Sequence, residues 1–438
     1  MLRNWYLEQN ESGAGKSPLV LYPSPGLKVF STLAGMTMVR QEMYVVSSVA
    51  PTTGLAATTS MRLFVVAENV TFQFLWEVFQ DGTNQLRGQI PLQALGQLGV
   101  AGSPVSMTAN NAGQLMIASA GRLFCYTLQT NKLTEIDTTT GAALQGPVFQ
   151  LGFSDSYFVA LLANSQRFQI SSPLDGTTWN PLDIGQIEVY PDNVASMIVD
   201  HREPWFLGVK ESAVYYDSGN ALFPFDPIPG AYIEQGSGAP WATVKLDNSV
   251  FWIGADERGA GIAWRAQGYT PARVSTHAIE YAWQGYPTIA DAIAYPFQDQ
   301  GHSFWHIWFP SANASWRYDV ATNHLSSCHA FAFGKHIVGD RRSGNLYQMS
   351  IQFLDDAGTL IRRVRRAPII SSENQWIFHE ELQVDLETGL GPSPPLLDGQ
   401  GKPRGPIATL RWSDDSAHTW SNPYDRDCGQ AGEYSKRV

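Results

Sequence analysis

Tyr157-Phe158-Val159-Ala160-Leu161-Leu162, a polar break at Asn164-Ser165, then Phe168-Gln169-Ile170: this stretch decides the fold. Two apolar runs of strand length flank turn residues, the pattern of a β-hairpin. The same unit recurs along the chain. Leu63-Phe64-Val65-Val66-Ala67 leads through Asn69 to Phe72-Gln73-Phe74-Leu75-Trp76, and Leu115-Met116-Ile117-Ala118 through Gly121 to Leu123-Phe124-Cys125-Tyr126. Trp205 to Gly208 precedes Ala213 to Tyr216, and Phe251 to Gly254 precedes Ile262 to Trp264. Phe304 to Phe309 turns at Asn313 into Ser315 to Tyr318, and His336 to Gly339 turns at Ser343-Gly344 into Leu346 to Met349. Apart from a shorter last step, the units start roughly 40–55 residues apart, the spacing of propeller blades of about four strands each. The sequence therefore predicts an all-β chain: a β-propeller of six to seven irregular blades over residues 41–352. A set of stacked β-sandwiches is the competing architecture. The strongest helical pattern, Ile90 to Leu98, is short.

Residues 1–40 read as an extended N-terminal segment with an assembly role, and residues 353–438 as a small C-terminal β module. Period-two alternation marks strands at Leu382 to Leu386 and Ala408 to Trp412. Between them Gly389 to Pro406, rich in Gly and Pro, predicts a long loop.

Composition agrees. The 438 residues are 44% hydrophobic, 16% charged and 12% aromatic, with 14 Trp, a globular mixture suited to pleated surfaces. The formal net charge of −11 argues against a nucleic-acid reader, which needs a basic face. An acidic wall is compatible with a conduit along which DNA slides without sticking. Cys125, Cys328 and Cys428 are distant and odd in number, so no disulfide framework is expected. The sequence predicts a soluble chain, with no secretory signal at Met1 to Tyr6 and no apolar run of the ~20 residues that span a bilayer.

Few residues point to chemistry. Gly13-Ala14-Gly15-Lys16-Ser17 ends like a phosphate-binding loop, but Asn10 stands where the first Gly belongs and Pro18 blocks the helix that must follow; it reads as a turn. His302 and His306 have the spacing of a helical zinc pair, but Trp305, Ile307 and Trp308 make the segment a strand. His324, Cys328, His329 and His336 form a looser group that reads as ordinary strand and turn residues. No metal, cofactor or catalytic residue is expected. Ser413-Asp414-Asp415-Ser416-Ala417-His418-Thr419-Trp420 resembles an Asp-box, the hairpin turn of sialidase-type propellers, with Ala417 where Gly is usual. In such a turn Ser413, Asp415 and Trp420 are structural: the carboxylate caps turn amides and the indole packs beneath. Arg362-Arg363-Val364-Arg365-Arg366 is the one strongly basic run. Alternation assigns Arg363 and Arg365 to one face, and Arg362, Val364 and Arg366 to the other. Two readings stand level: a solvated edge strand protected from pairing by its charge, or an interface facing an acidic neighbour or DNA phosphates.

A family resemblance covers nearly the whole chain in order. Asn4-Trp5-Tyr6-Leu7-Glu8, Pro18 to Tyr22 and Ser24-Pro25-Gly26-Leu27-Lys28-Val29-Phe30 resemble the start of the packaged-DNA stabilisation proteins of short-tailed phages. Gly208 to Tyr216, Phe223 to Ala231 and Asn248 to Gly254 resemble their central blocks. Gly339 to Tyr347 and Gly429 to Tyr434 continue the match. The resemblance implies a non-enzymatic virion protein of the tail, assembled in the bacterial host cytoplasm. It implies a homohexameric ring below the portal and adaptor, retaining packaged DNA, passing duplex DNA without sequence-specific binding, and carrying a tail needle or tailspikes. It also implies further basic strand residues beyond Val438. The competing function is a carbohydrate-acting or carbohydrate-binding propeller, suggested by the Asp-box alone. A peptide-binding cellular scaffold would carry WD or kelch repeats, which the sequence lacks.

Overall fold

The computed structural model describes residues 2–3, 5–9, 19–23, 25–47, 60–91, 104–137, 144–187, 192–255, 259, 261–299, 302–317, 326–366, 384, 406–415 and 418–428. The chain divides into two compact units, one of Val29–Gln348 and one of Met1–Lys28 with Met349–Val438.

The larger unit is a seven-bladed β-propeller. Blades one to five are antiparallel four-stranded sheets with strands in sequence order: residues 38–91, 105–136, 148–186, 194–233 and 244–273. Blade six, residues 293–317, has three described strands. Blade seven has three strands from residues 326–350, and its fourth position is taken by residues 29–32 of the strand Gly26–Thr32. The first strands of the blades, from Met38–Ser47 to Ser326–Ala332, each touch the next around the axis, and the last touches the first. The N-terminal side of the unit thus completes the last blade and closes the ring without a covalent bond. At this closure the Leu33 amide donates to Gly344 O at 2.8 Å. Leu33 and Val39 pack with Ala330, Ile337 and Leu346. Gly339 sits where Val39 and Cys328 leave no room for a Cβ.

The seven hairpins read from the sequence are the second and third strands of the seven blades. The second strands are covered on both faces by neighbouring blades, so their side chains are apolar in near-unbroken runs; Leu63, Phe64, Val65, Val66 and Ala67 are all fully buried. The cores lie between blades. Phe64 and Val66 meet Leu115 and Ile117 between blades one and two. Phe168 stacks on Phe206 at 4.5 Å between blades three and four, a pair worth about 0.5–1.5 kcal/mol beyond its buried area.

Two local expectations change. Ile90 does not begin a helix: it is a buried residue near the end of the strand Asn84–Pro91, and residues 92–98 lie outside the described residues. The described helix is His277–Gln284, between blades five and six. Its Trp283 enters the core beside Phe309, and its buried Glu280 receives Ser275 Oγ at 2.5 Å and pairs with Arg273. No helix of the described residues is long and apolar enough to cross a membrane.

In the smaller unit, Leu2–Arg3 pairs with Val364–Arg365, and Trp5–Gln9 with Leu19–Pro23. Ile407–Leu410 pairs with Tyr424–Asp427. The strand reading of Leu382 to Leu386 falls, except for Val384, outside the described residues, as does the loop Gly389 to Pro406 except for its last residue.

Candidate functional site

The basic run contains a short strand, Val364–Arg365, that pairs with Leu2–Arg3 in a two-stranded sheet. Because only Val364 and Arg365 are in the ladder, strict alternation fails: Arg363 and Val364 are half-buried, whereas Arg362, Arg365 and Arg366 are exposed. Arg363 lies near Asp356. Burial lowers the guanidinium and lifts the Asp356 carboxyl to about 6, so desolvation outweighs their mutual attraction. Arg366 lies over the Trp420 ring at 4.7 Å, joining the basic run to the Asp-box-like turn.

That turn is spanned by the paired strands Ile407–Leu410 and Tyr424–Asp427. Asp415 Oδ1 accepts from Ser413 Oγ at 2.8 Å and from the Thr419 amide at 2.8 Å, and Oδ2 accepts from Thr419 Oγ1 at 2.5 Å. The Thr419 bonds, then Ser413, hold the carboxyl down to about 2. Its lone pairs are used within the turn, as a folding device requires.

Blade three contains a second turn of this kind, missed in the sequence: Asp175-Gly176-Thr177-Thr178-Trp179. Asp175 accepts from the Thr177 amide at 3.0 Å, Thr177 Oγ1 at 2.6 Å, Thr178 Oγ1 at 2.8 Å and, from blade two, Gln114 Nε2 at 3.1 Å. Burial alone would raise this carboxyl; the hydrogen bonds hold it down to about 2. Trp179 is buried in the core between blades two and three and donates Nε1–H to Gly176 O at 2.8 Å. The order Asp-Gly-Thr-Thr-Trp was the available signal, with Gly one place earlier than in the usual box.

The histidine group spans blades six and seven. His306 lies on the strand His302–Phe309, fully buried against Tyr295. His329 Nε2 and His336 Nδ1 are 3.0 Å apart in stacked rings, and His329 also stacks on Tyr295. Burial first, then His336, pushes His329 down to about 3. The His302 side chain, His324 and the Gly13–Ser17 turn lie outside the described residues. Among the described residues no His, Cys, Asp or Glu group could hold a metal. Cys125, Cys328 and Cys428 are buried.

The richest polar constellation lies at one mouth of the propeller. There, tight turns join the first and second strands of blades three, four and five. All six turn residues have positive φ: Asp155 and Ser156 at 46° and 80°, His201 and Arg202 at 48° and 70°, Asp247 and Asn248 at 49° and 55°. This is the type I′ conformation, in which Asn and Gly are favoured. The three turns are tied together. Ser154 Oγ donates to Arg202 O at 2.5 Å, and Arg202 pairs with Asp155. His201 contacts Asp200 at 2.7 Å through Nδ1 and Asn248 at 2.7 Å through Nε2. Lys245 pairs with Asp200 at 2.8 Å. The hydrogen bond to Asp200, helped by Asn248, raises the His201 imidazole above its ordinary value. Beneath these turns opens a cavity of about 670 Å³ between the first strands of blades two to five.

No curated protein matches the chain. Among solved structures, the computationally designed Ika8 protein aligns at 11% identity over 74% of this chain and 99% of its own, with a TM-score of 0.36. PorZ of Porphyromonas gingivalis aligns at 10% identity over 78% of this chain and 39% of its own, TM-score 0.39. The extracellular domain of BT4673 from B. thetaiotaomicron aligns at 8% identity over 74% and 40%, TM-score 0.42. The family model described as Bacteriophage P22 Gp10, beta-propeller matches residues 66–353, from the second strand of blade one to the end of blade seven. The chain therefore belongs to this phage packaged-DNA stabilisation family, and it is a virion protein that stabilises packaged DNA.

Proposed function

We propose that this protein acts in the tail of a short-tailed phage as a homohexameric ring below the portal and adaptor. The ring closes or guides the DNA exit channel and carries a tail needle or tailspikes. The observation that carries the reading is the family match over residues 66–353, which spans the propeller almost from end to end. Physical features support it. A net charge of −11 disfavours sticking to passing phosphates while leaving a closed β scaffold free to build a wall. Rings of identical subunits form through heterologous contacts that close by rotation, and a propeller offers a rigid body for such contacts. The proposed role requires no turnover, and the carboxylates of both Asp-box-like turns serve turn donors. Negative-stain microscopy of the purified protein, alone and with its adaptor, tests the reading. Rings with an axial channel are expected. A monomer that persists at every concentration and with the adaptor present would overturn it.

A further inference from the structure

The mouth turns of blades three to five have an unexplained chemistry. His201 and Arg202 occupy the two central positions of a type I′ turn, where bulky side chains pay about 1–2 kcal/mol each for the left-handed backbone. Asn-Gly would turn the same corner without strain. What the strain achieves is placement: it holds an imidazole and a guanidinium on the rim of the cavity.

The ion pairs there are layered. The carboxylates lie underneath, with the side chains of Asp155 and Asp200 only 10% and 6% exposed. The basic side chains stand outward, with Arg202, His201 and Lys245 at 80%, 50% and 49%. Asp155 anchors Arg202 and Asp200 anchors Lys245, and these two cations keep most of their donors toward solvent, whereas both ring nitrogens of His201 are engaged by Asp200 and Asn248. Below the rim Leu151, Phe153, Met197 and Val199 give the lining an apolar part, beside the polar Thr108 and Asn111.

We infer that this mouth binds an extended peptide segment presenting a carboxylate beside an apolar side chain. The carboxylate would meet Arg202 and Lys245, and the apolar side chain would enter the cavity. Its volume of about 670 Å³ lies within the ~300–1,000 Å³ typical of ligand pockets. A polyanion fits less well. The rim cations are already balanced by Asp155 and Asp200, and the chain around them is acidic, so nucleic acid gains little counterion release here. One or two carboxylates on a peptide need only the outward donors that Arg202 and Lys245 do not spend on Asp155 and Asp200. The inference concerns the propeller of a single chain and does not rest on ring formation.

The test uses the full-length protein and fluorescence polarisation with three labelled probes: the peptide Glu-Phe-Glu-Leu, its uncharged twin Gln-Phe-Gln-Leu-amide, and a twelve-nucleotide oligothymidylate. The acidic peptide is expected to bind saturably and at least about tenfold more tightly than the twin. Arg202→Gln and Lys245→Met are each expected to weaken it about tenfold; both side chains are exposed enough for the variants to fold, which circular dichroism checks. No saturable peptide binding would overturn the inference. So would binding unchanged in both variants, or tighter binding of the oligonucleotide than of the peptide.

Discussion

Acidification should unfasten the junction of blades six and seven through His329. This ring stacks between His336 and Tyr295, and its Nε2 lies 3.0 Å from His336 Nδ1, a gap with room for one proton. Burial and the neighbouring imidazole push it down to about 3 from an ordinary 6.5. A depressed histidine binds its proton in the unfolded chain first. Its contribution to stability is therefore complete above pH 6.5 and is lost as pH falls toward 3. Linkage gives a loss of about 2 kcal/mol between pH 7 and pH 5, growing to roughly 4 kcal/mol near pH 3. The variant His329→Phe keeps an aromatic ring in the stack and removes the titration. Urea unfolding followed by tryptophan fluorescence at pH 7 and pH 5 measures the effect. The wild type should lose about 2 kcal/mol more than the variant over this interval, whatever their difference at pH 7. Equal losses in the two proteins would refute the reasoning, because they would mean that His329 titrates as it does in the unfolded chain.

Other expectations follow from buried charge. Glu42, on the first strand of blade one, is 5% exposed at the ring closure, and its burial raises the carboxyl well above the ordinary range against the pull of the Ala330 and Gly339 amides. Its stability contribution is therefore present at low pH and lost as pH rises, so Glu42→Gln should raise the melting temperature at pH 7, with a smaller gain at pH 4. Glu77 is 3% exposed and meets Arg62 at 2.7 Å and Arg87 at 2.5 Å, while Arg62 Nη1 reaches Leu128 O of blade two at 3.0 Å. Glu77→Ala strands two cations and should cost about 3–5 kcal/mol in urea unfolding. Burial pushes the Cys125 thiol up to about 12. It should resist a thiol-specific dye in native buffer at pH 8 and react in urea; rapid native labelling at Cys125, located by peptide mapping, would contradict the packing of blade two.

What could be read in the sequence follows from burial. The second strands of the blades are walled in on both faces, so stretches such as Tyr157 to Leu162 announce themselves as apolar runs. The outermost strands carry a weaker signal: Lys132–Ile136 and Thr270–Arg273 are largely exposed or half-buried and read as polar connections. The helix His277–Gln284 escaped because its buried Glu280 breaks the apolar stripe and is satisfied by Arg273 and Ser275, outside the helix. The Asp175 turn escaped through a one-residue change of spacing. The basic run and the Asp-box-like turn were legible separately, but the Arg366–Trp420 contact that joins them was not, because it spans residues distant in sequence. The mouth was the least legible feature. It assembles Asp155, His201, Arg202, Lys245 and Asn248 from three blades, and His-Arg in place of Asn-Gly hides the turn that carries it.

The most direct test of the account is DNA retention by particles from a phage whose gene for this protein is deleted. DNA per particle is measured after nuclease treatment, with and without the protein supplied in trans. The account expects capsids that fill and then lose their DNA, with retention restored by the wild-type chain. Deletion particles that hold a full complement of protected DNA would contradict it.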